Sequence, residues 1–414
     1  WARSASQARP NSSWPPVSTD KLCVTGTSKV PVTSADMKIW LIEPYYSGSH
    51  RAWAAGYRAH SGHDVRLLTL PGRFWKWRMQ GGAISLARQA QALEARPDLI
   101  LASDMLNLPL FLTLAGERFA GLPVALYFHE NQLTYPLQPG EKRDLHYAFI
   151  NAVSALRADA LFFNSAYHLT VFYDELPRLL KHFPDFTELW LVEALRLKSQ
   201  VLPLGLNLAR FDRLGPAQPA SRERPLILWN HRWEYDKDPE TFFRAIYTLA
   251  DEGLDFGLIL LGESFRNKPQ EFLAAREKLA DRLVHFGYAP DAATYGRLLW
   301  QADIVVSTAR HEFFGAAIVE ACYCGCFPIL PRRLSYPELL PEAYHKECLY
   351  DDFEGLLARL RSAISGVDGL QTSALQRSMA RFDWRRMAAR YDALLEDLVS
   401  GGLAAEGMPG LSAR

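Results

Sequence analysis

Two carboxylates, Glu312 and Glu320, lie either side of a glycine and an apolar run in His311-Glu312-Phe313-Phe314-Gly315-Ala316-Ala317-Ile318-Val319-Glu320. A buried-strand pattern, Ala302-Asp303-Ile304-Val305-Val306-Ser307, precedes them, and a helix end followed by another apolar run comes after. This order puts Glu312 on the loop after a strand. It puts Glu320 about two turns into the following helix, on the same side. Ligands of open α/β sheets bind at the carboxyl ends of the strands. Two groups that only accept hydrogen bonds suit a hydroxyl-rich ligand there, such as a sugar and a ribose. The plainer alternative is a helix-start carboxylate, which the helix dipole favours, plus a solvated surface Glu.

Other residues of matching chemistry follow other expected strands. Asn230-His231-Arg232-Trp233-Glu234-Tyr235-Asp236-Lys237-Asp238-Pro239 ends one strand and opens a helix near Pro239. A planar guanidinium and a point-charge ammonium at a helix N-terminus suit a diphosphate; a solvated charged loop would look the same. Tyr127-Phe128-His129-Glu130-Asn131-Gln132 places polar groups directly after a buried run. His129 reads either as a hydrogen-bond partner of a sugar or as a structural histidine. In Pro44-Tyr45-Tyr46-Ser47-Gly48-Ser49-His50, Ser47 or Ser49 can cap the next helix and Gly48 permits close backbone approach. Arg73-Phe74-Trp75-Lys76-Trp77-Arg78 interleaves cations with aromatics, and residues 38–96 hold nine Lys/Arg against three Asp/Glu. Such a stretch suits a single-stranded RNA loop, whose bases stack on rings and whose phosphates meet cations. An amphipathic loop packed on its own domain is the competing explanation.

The elements that must hold these groups are short apolar strands alternating with helical patterns, the mark of parallel α/β structure. Strands are expected near 38–43, 64–69, 98–102, 123–129, 159–163 and 199–203, then near 226–230, 256–261, 283–286, 303–307, 327–330 and 348–350. A proline-punctuated linker with Pro216, Pro219 and Pro225 separates the two series. The expectation is two doubly wound Rossmann-like domains, 37–207 and 208–382, facing across a cleft, then a C-terminal helix over 383–400 and a flexible tail over 401–414. Met37 directly precedes the first strand and is expected as the natural start, with Ser/Pro/Thr-rich residues 1–36 a disordered leader or an appended remnant.

At 414 residues, 49% hydrophobic and 22% charged, the chain has the composition of a globular enzyme. Its net charge of zero excludes a global nucleic-acid signature, so any RNA contact is local. No apolar run reaches membrane-helix length, so stable membrane insertion is not expected. The five cysteines include the alternating Cys322, Cys324 and Cys326, which is not zinc-finger spacing. Reduced thiols in a cytoplasmic protein, without metal, are expected.

In combination these residues resemble the retaining glycosyltransferases of the GT-B fold, family-four class. Glu312-x7-Glu320 resembles the E-x7-E signature, and Arg232 with Lys237 resembles the diphosphate-binding pair. Val201-Leu202-Pro203-Leu204-Gly205-Leu206-Asn207-Leu208-Ala209-Arg210-Phe211 resembles the interdomain segment, with Asn207 where Asp is usual. More narrowly, residues 42–50, 70–78 and 127–132 resemble the tRNA-queuosine alpha-mannosyltransferases. The resemblance implies transfer of mannose from GDP-mannose to queuosine in the tRNA-Asp anticodon loop, with no divalent metal or other cofactor and no obligate protein partner. It implies that Glu312 holds the donor sugar, Glu320 the ribose, and Arg232 and Lys237 the leaving diphosphate, with His129 meeting the sugar from the opposite wall. Gly48, Asn230, Phe314 and Gly315 complete the implied donor site. The implied acceptor site comprises Ser49, His50, Arg73, Trp75, Lys76, Trp77, Arg78, Asn131 and Gln132. Two other functions keep the same motifs: a related transferase acting on a glycan, lipid or small molecule, and an inactive nucleotide-sugar or RNA-binding module.

Overall fold

Runs that are apolar on both faces become strands covered on both sides, as parallel sheets require. The first half forms β1 (Lys38–Tyr46), β2 (Asp64–Pro71), β3 (Leu99–Ser103), β4 (Val124–Phe128), β5 (Ala160–Phe163) and β6 (Ser199–Val201). The second forms β7 (Leu226–Asn230), β8 (Gly257–Leu261), β9 (Leu283–Gly287), β10 (Ile304–Val306), β11 (Phe327–Pro331) and β12 (Leu349–Tyr350). This computed structural model describes residues 36–137, 140–215, 224–262 and 270–401. The expected leader (all but residue 36), Pro216, Pro219 and nearly all of the expected tail therefore lie outside the described residues. Each expected strand forms within a few residues of its place.

The sheet orders are β2-β1-β3-β4-β5-β6 and β12-β11-β10-β7-β8-β9, with every pairing parallel. Strand order reverses beside β1 in the first sheet and beside β7 in the second. A crevice opens outside the carboxyl ends at each reversal. The loops after β1, β7 and β10, which lead to Gly48, Ser49, His50, Arg232, Lys237, Glu312, Phe314 and Gly315, sit at these two crevices.

One apolar core runs through the second half and into the first by way of Leu204, Leu206, Leu208 and Phe211. The last helix, Trp384–Val399, turns back onto the first half, where it meets the helix Gly48–His60. Tyr57 donates to Asp392 at 2.7 Å, and Tyr391 donates to the Pro203 carbonyl at 3.0 Å. The Trp384 indole is lodged between two glycines. A Cβ on Gly56 would lie 2.0 Å from its Nε1, and one on Gly205 would lie 2.3 Å from its Cδ2. The strap before it is stitched to the same place, with Leu206 donating to the Phe382 carbonyl and Trp384 to that of Leu206.

Two local expectations are corrected. Ser47 occupies the N-cap of the helix Gly48–His60 but its side chain makes no capping bond; the chain passes so near that a Cβ on Gly72 would sit 2.1 Å from Ser47 Oγ. The helix bearing Glu320 is Ala316–Tyr323, so Glu320 lies just past its first turn rather than two turns in. Cys322, Cys324, Cys326 and Cys348 are buried and not disulfide-bonded. No helix among the described residues is long and apolar enough to cross a membrane.

Candidate active site

The β7 strand ends at Asn230, and the chain then makes a single turn, Tyr235–Lys237, before the helix Pro239–Asp251. Asp238, at φ 51°, caps that helix and fixes where Lys237 points. The Lys237 ammonium is buried. It donates to the His311 carbonyl at 2.7 Å and lies 3.1 Å from Asp236 and 3.3 Å from Glu312. The β10 loop is tied to the same turn, since Arg310 N donates to the Asp236 carbonyl and the Thr308 hydroxyl lies 2.9 Å from the carbonyls of Lys237 and Asp238. Burial pushes the Glu312 carboxyl up, but Lys237, His231 and His311 outweigh it and hold it down at about 2. Burial lowers the ammonium of Lys237, yet Glu312 and Asp236 leave it raised. The site is therefore a buried charge network with its cation locked on. Gly315, at φ 98°, lets the chain turn into the next helix, while Phe314 is packed edge-on against Phe382.

Glu320 is engaged separately. It receives Arg210 at 2.7 Å and the Tyr295 hydroxyl at 2.7 Å, and that hydroxyl accepts from the Asn230 amide at 3.0 Å. Arg232 is half-exposed and lies 3.1 Å from Glu234, and Tyr135 from the first half helps to hold its guanidinium charged.

On the facing wall, Glu43 is fully buried towards the carboxyl end of β1, just before its register shifts. It accepts from Tyr45 N at 2.7 Å and pairs with His50 Nδ1 at 2.9 Å. Burial alone would lower His50, but the charge and hydrogen bond of Glu43 push it up to about 9. His129 stands 4.2 Å from His50, ring to ring, and is driven well below the usual histidine range by burial and by that cation. A neutral ring thus sits against a charged one. The backbone of His129 is pinned at both ends, its N–H donating to Asp104 at 2.8 Å and its carbonyl accepting from Asn164 at 2.9 Å. Glu43, His50 and His129 also form the single three-donor group that could hold a metal among the described residues, with donor atoms within 4.8 Å of one another. Two of those atoms are already joined by the Glu43–His50 hydrogen bond.

The walls touch. Ser165 donates to the Phe313 carbonyl at 2.5 Å, His168 stacks on Phe313 at 3.9 Å, and Tyr135 meets His311 edge-on at 5.4 Å. Glu338 receives Ala166 N at 2.7 Å and Tyr167 N at 2.6 Å.

Of the residues expected at the acceptor, Arg73, Trp75, Lys76, Trp77 and Arg78 gather at the start of the helix Trp75–Gln91. The Gly72–Ser47 contact brings this segment beside Gly48, Ser49 and His50. Asn131 instead turns inward, its side-chain oxygen accepting from Leu133 N, Thr134 N and the Thr134 hydroxyl, so it shapes the loop. Gln132 is buried and donates to Glu130 at 3.0 Å. Sequence reasoning gave no role to Glu43, Asp104, Tyr135, Arg210 or Tyr295. Glu43 and Asp104 were findable as charged residues at strand ends, but Tyr295 sits on a helix and carries no local signal.

Residues 38–206 match the family model described as tRNA-queuosine alpha-mannosyltransferase N-terminal, and 212–365 match Glycosyl transferases group 1. A Drosophila melanogaster protein described as tRNA-queuosine alpha-mannosyltransferase is 35% identical over 336 residues, covering 80% of this chain and 87% of that one. The chain belongs to the tRNA-queuosine alpha-mannosyltransferase family. A Mycobacterium tuberculosis GDP-mannose-dependent alpha-(1-6)-phosphatidylinositol dimannoside mannosyltransferase is 25% identical over 196 residues, 45% of this chain and 49% of that one. Sucrose-phosphate synthase from Thermosynechococcus elongatus superposes with a TM-score of 0.65 at 16% identity, over 88% of this chain and 100% of that one. The catalytic domain of starch synthase IV from Arabidopsis thaliana gives 0.62 at 14% identity, over 88% and 100%. These structures share the GT-B fold. Within this member of the family, Glu43, His50 and His129 fall in the family-specific match, and Lys237, Glu312 and Glu320 fall in the general glycosyltransferase match.

Proposed function

We propose that this protein transfers mannose from GDP-mannose to queuosine in the anticodon loop of tRNA-Asp, with retention at the anomeric carbon. The observation that carries the reading is the pairing of two walls. A glycosyltransferase wall holds Lys237, Arg232 and Glu312, and a family-specific wall holds His129 and His50 beside a basic, aromatic rim.

As the bond from the anomeric carbon to the diphosphate breaks, negative charge grows on the diphosphate. Arg232 and Lys237 meet that charge, so they favour the transition state over the ground state. Two fixed cations take the part a divalent metal plays elsewhere. The acceptor hydroxyl forms its bond to the anomeric carbon on the face the diphosphate leaves, and its proton passes to the departing phosphate oxygen. Glu312, ionised throughout the neutral range, orients the sugar hydroxyls, and neutral His129 can accept or donate a hydrogen bond from the other side. Glu320 takes the ribose once Arg210 or Tyr295 yields its place. Phe314 and Gly315 contribute backbone and shape rather than an exposed side chain. Gly48, Ser49 and His50 border the reacting centre. The reading makes the nucleotide sugar and tRNA the partners of a cytoplasmic enzyme with no stable membrane insertion and no obligate protein partner.

The test is transfer from labelled GDP-mannose to queuosine-containing tRNA, read by nucleoside mass spectrometry, with UDP-glucose and queuosine-free tRNA as controls. A hexose on queuosine only with GDP-mannose supports the assignment. Slow donor hydrolysis without transfer moves the acceptor elsewhere and keeps the hexosyltransferase reading.

A further inference from the structure

Two glycines stand side by side in the middle of the helix Trp75–Gln91, where glycine is the poorest helix former after proline. Gly82 has a packing reason. A Cβ there would come 3.3 Å from Pro44 Cβ, where the helix crosses the end of β1. Gly81 has a different reason. The nearest atoms a Cβ would meet are those of Trp77, at 2.4, 2.6 and 2.8 Å. Residues four apart share a helix face, so the missing side chain of Gly81 is the seat on which the Trp77 indole lies. That indole is nevertheless 58% exposed. A large ring laid down on its own helix yet left open to solvent is a flat face awaiting something.

The surroundings indicate what. Trp75 packs against Tyr147 at 5.0 Å, and the Lys76 ammonium lies 5.6 Å from the Trp75 ring and 5.9 Å from Tyr147. Phe74, just before the helix, is 77% exposed and held at φ 55°, a conformation non-glycine residues rarely adopt. Residues 65–93 carry five Lys/Arg and no Asp or Glu. Rings that stack sequence-tolerantly, on a segment whose own charges are all cationic and with Asp144 the acid beside Tyr147, match a single-stranded polynucleotide. They do not match an apolar protein surface, which would leave the cations unpaired.

We propose that Gly81 is a positioning residue that holds Trp77 as a preset stacking face for a splayed base of the RNA acceptor, with Trp75, backed by buried Tyr147, as a second face. The proposal rests on the RNA-acceptor reading above and adds Gly81 and Tyr147 to it. Presetting the ring means that less side-chain freedom is lost on binding.

The test measures binding of the full chain to an unmodified anticodon stem-loop RNA, by tryptophan fluorescence, with a loop-free RNA duplex as control. Gly81→Ala should weaken stem-loop binding, by up to the about 5- to 150-fold expected for loss of one stacked base. It should leave GDP-mannose hydrolysis intact and the Tm unchanged or higher, because Ala favours the helix. In transfer assays its KM for tRNA should rise while kcat is kept. Trp77→Ala should weaken binding to the same extent. The double variant should be no worse than Trp77→Ala alone, since without the indole the new Cβ displaces nothing. Wild-type binding by Gly81→Ala, or additive losses in the double variant, overturns the proposal. If Gly81→Ala does not fold, Trp77→Ala carries the test, and wild-type stem-loop affinity in that variant overturns the stacking role. Stem-loop binding through Trp77 with no hexose reaching queuosine would leave this inference standing and sink the acceptor assignment. Transfer to queuosine with unaltered binding by the Trp77 variant would do the reverse.

Discussion

Replacing Lys237 by methionine keeps most of the side-chain volume and removes only the charge. In the structure that charge is shared by Glu312, Asp236 and the His311 carbonyl, all within 3.3 Å. The fall of the Glu312 carboxyl from 4.5 to about 2 corresponds to about 3 kcal/mol of preference for its ionised form. Lys237 is the largest favourable contributor. Without it only two histidines and the Phe314 backbone N–H oppose the burial of Glu312, so the carboxyl should titrate higher than in the wild type. The sign follows. A depressed carboxyl adds stability above pH 4.5 that is lost as pH falls through about 2. Lys237→Met forfeits that contribution and brings the acid loss of activity up towards neutrality. Losing one of the two diphosphate cations should cost about 100- to 1000-fold in kcat/KM, as for other preorganised charge-stabilising groups. Breaking a buried ion pair should lower stability by about 3–5 kcal/mol. The assay is hexosyl transfer across pH 4–9, with urea unfolding beside it. Transfer within about threefold of wild type would refute the diphosphate role. A slow variant whose acid limb had not moved would refute the link between Lys237 and Glu312.

Glu320→Gln should raise KM for the donor with a smaller effect on kcat, because ribose binding is felt in ground and transition states alike; an unchanged donor KM with lowered kcat would contradict this. Gly205→Ala should lower stability by about 1–3 kcal/mol or more by driving a methyl group into the buried Trp384 indole, and an unchanged Tm would show that the strap relaxes freely. His50 is raised from 6.5 to about 9, so its contribution to stability is full below pH 6.5 and lost as pH rises through about 9, by about 3 kcal/mol. Urea midpoints at pH 6 and pH 9.5 test this: His50→Gln should flatten the slope, and parallel wild-type and variant curves would refute it.

The strands were legible because parallel strands covered on both faces become unbroken apolar runs. The groups at their carboxyl ends were legible because a polar residue directly after such a run has few places to be except the crevice. His129 obeys this rule directly, and Lys237 and Glu312 obey it at the length of a loop after β7 and β10. The Glu320–Tyr295–Asn230 chain does not, because it joins three elements and depends on packing that no local pattern records. Asn131 shows the converse failure. A short amide after a strand can close its own turn as well as meet a ligand, and spacing does not separate the two uses. The depth of Glu320 in its helix was overestimated because the helix begins only after Gly315.

The Glu338 carboxylate receives the first two amides of the helix Ala166–Leu180 from across the crevice. That helix is therefore completed only while the two halves are shut. Parting them strips the helix start of its anion and hands those amides to water, and it frees Glu338 to be solvated in turn. Both sides of the exchange are hydrogen-bonded before and after, so the net change is small. A fastening of this kind resists accidental drift without resisting release. Opening would in addition have to part the His168–Phe313 stack and the Ser165–Phe313 hydrogen bond, so the Glu338 fastening is the part of the seam that water can replace at little cost.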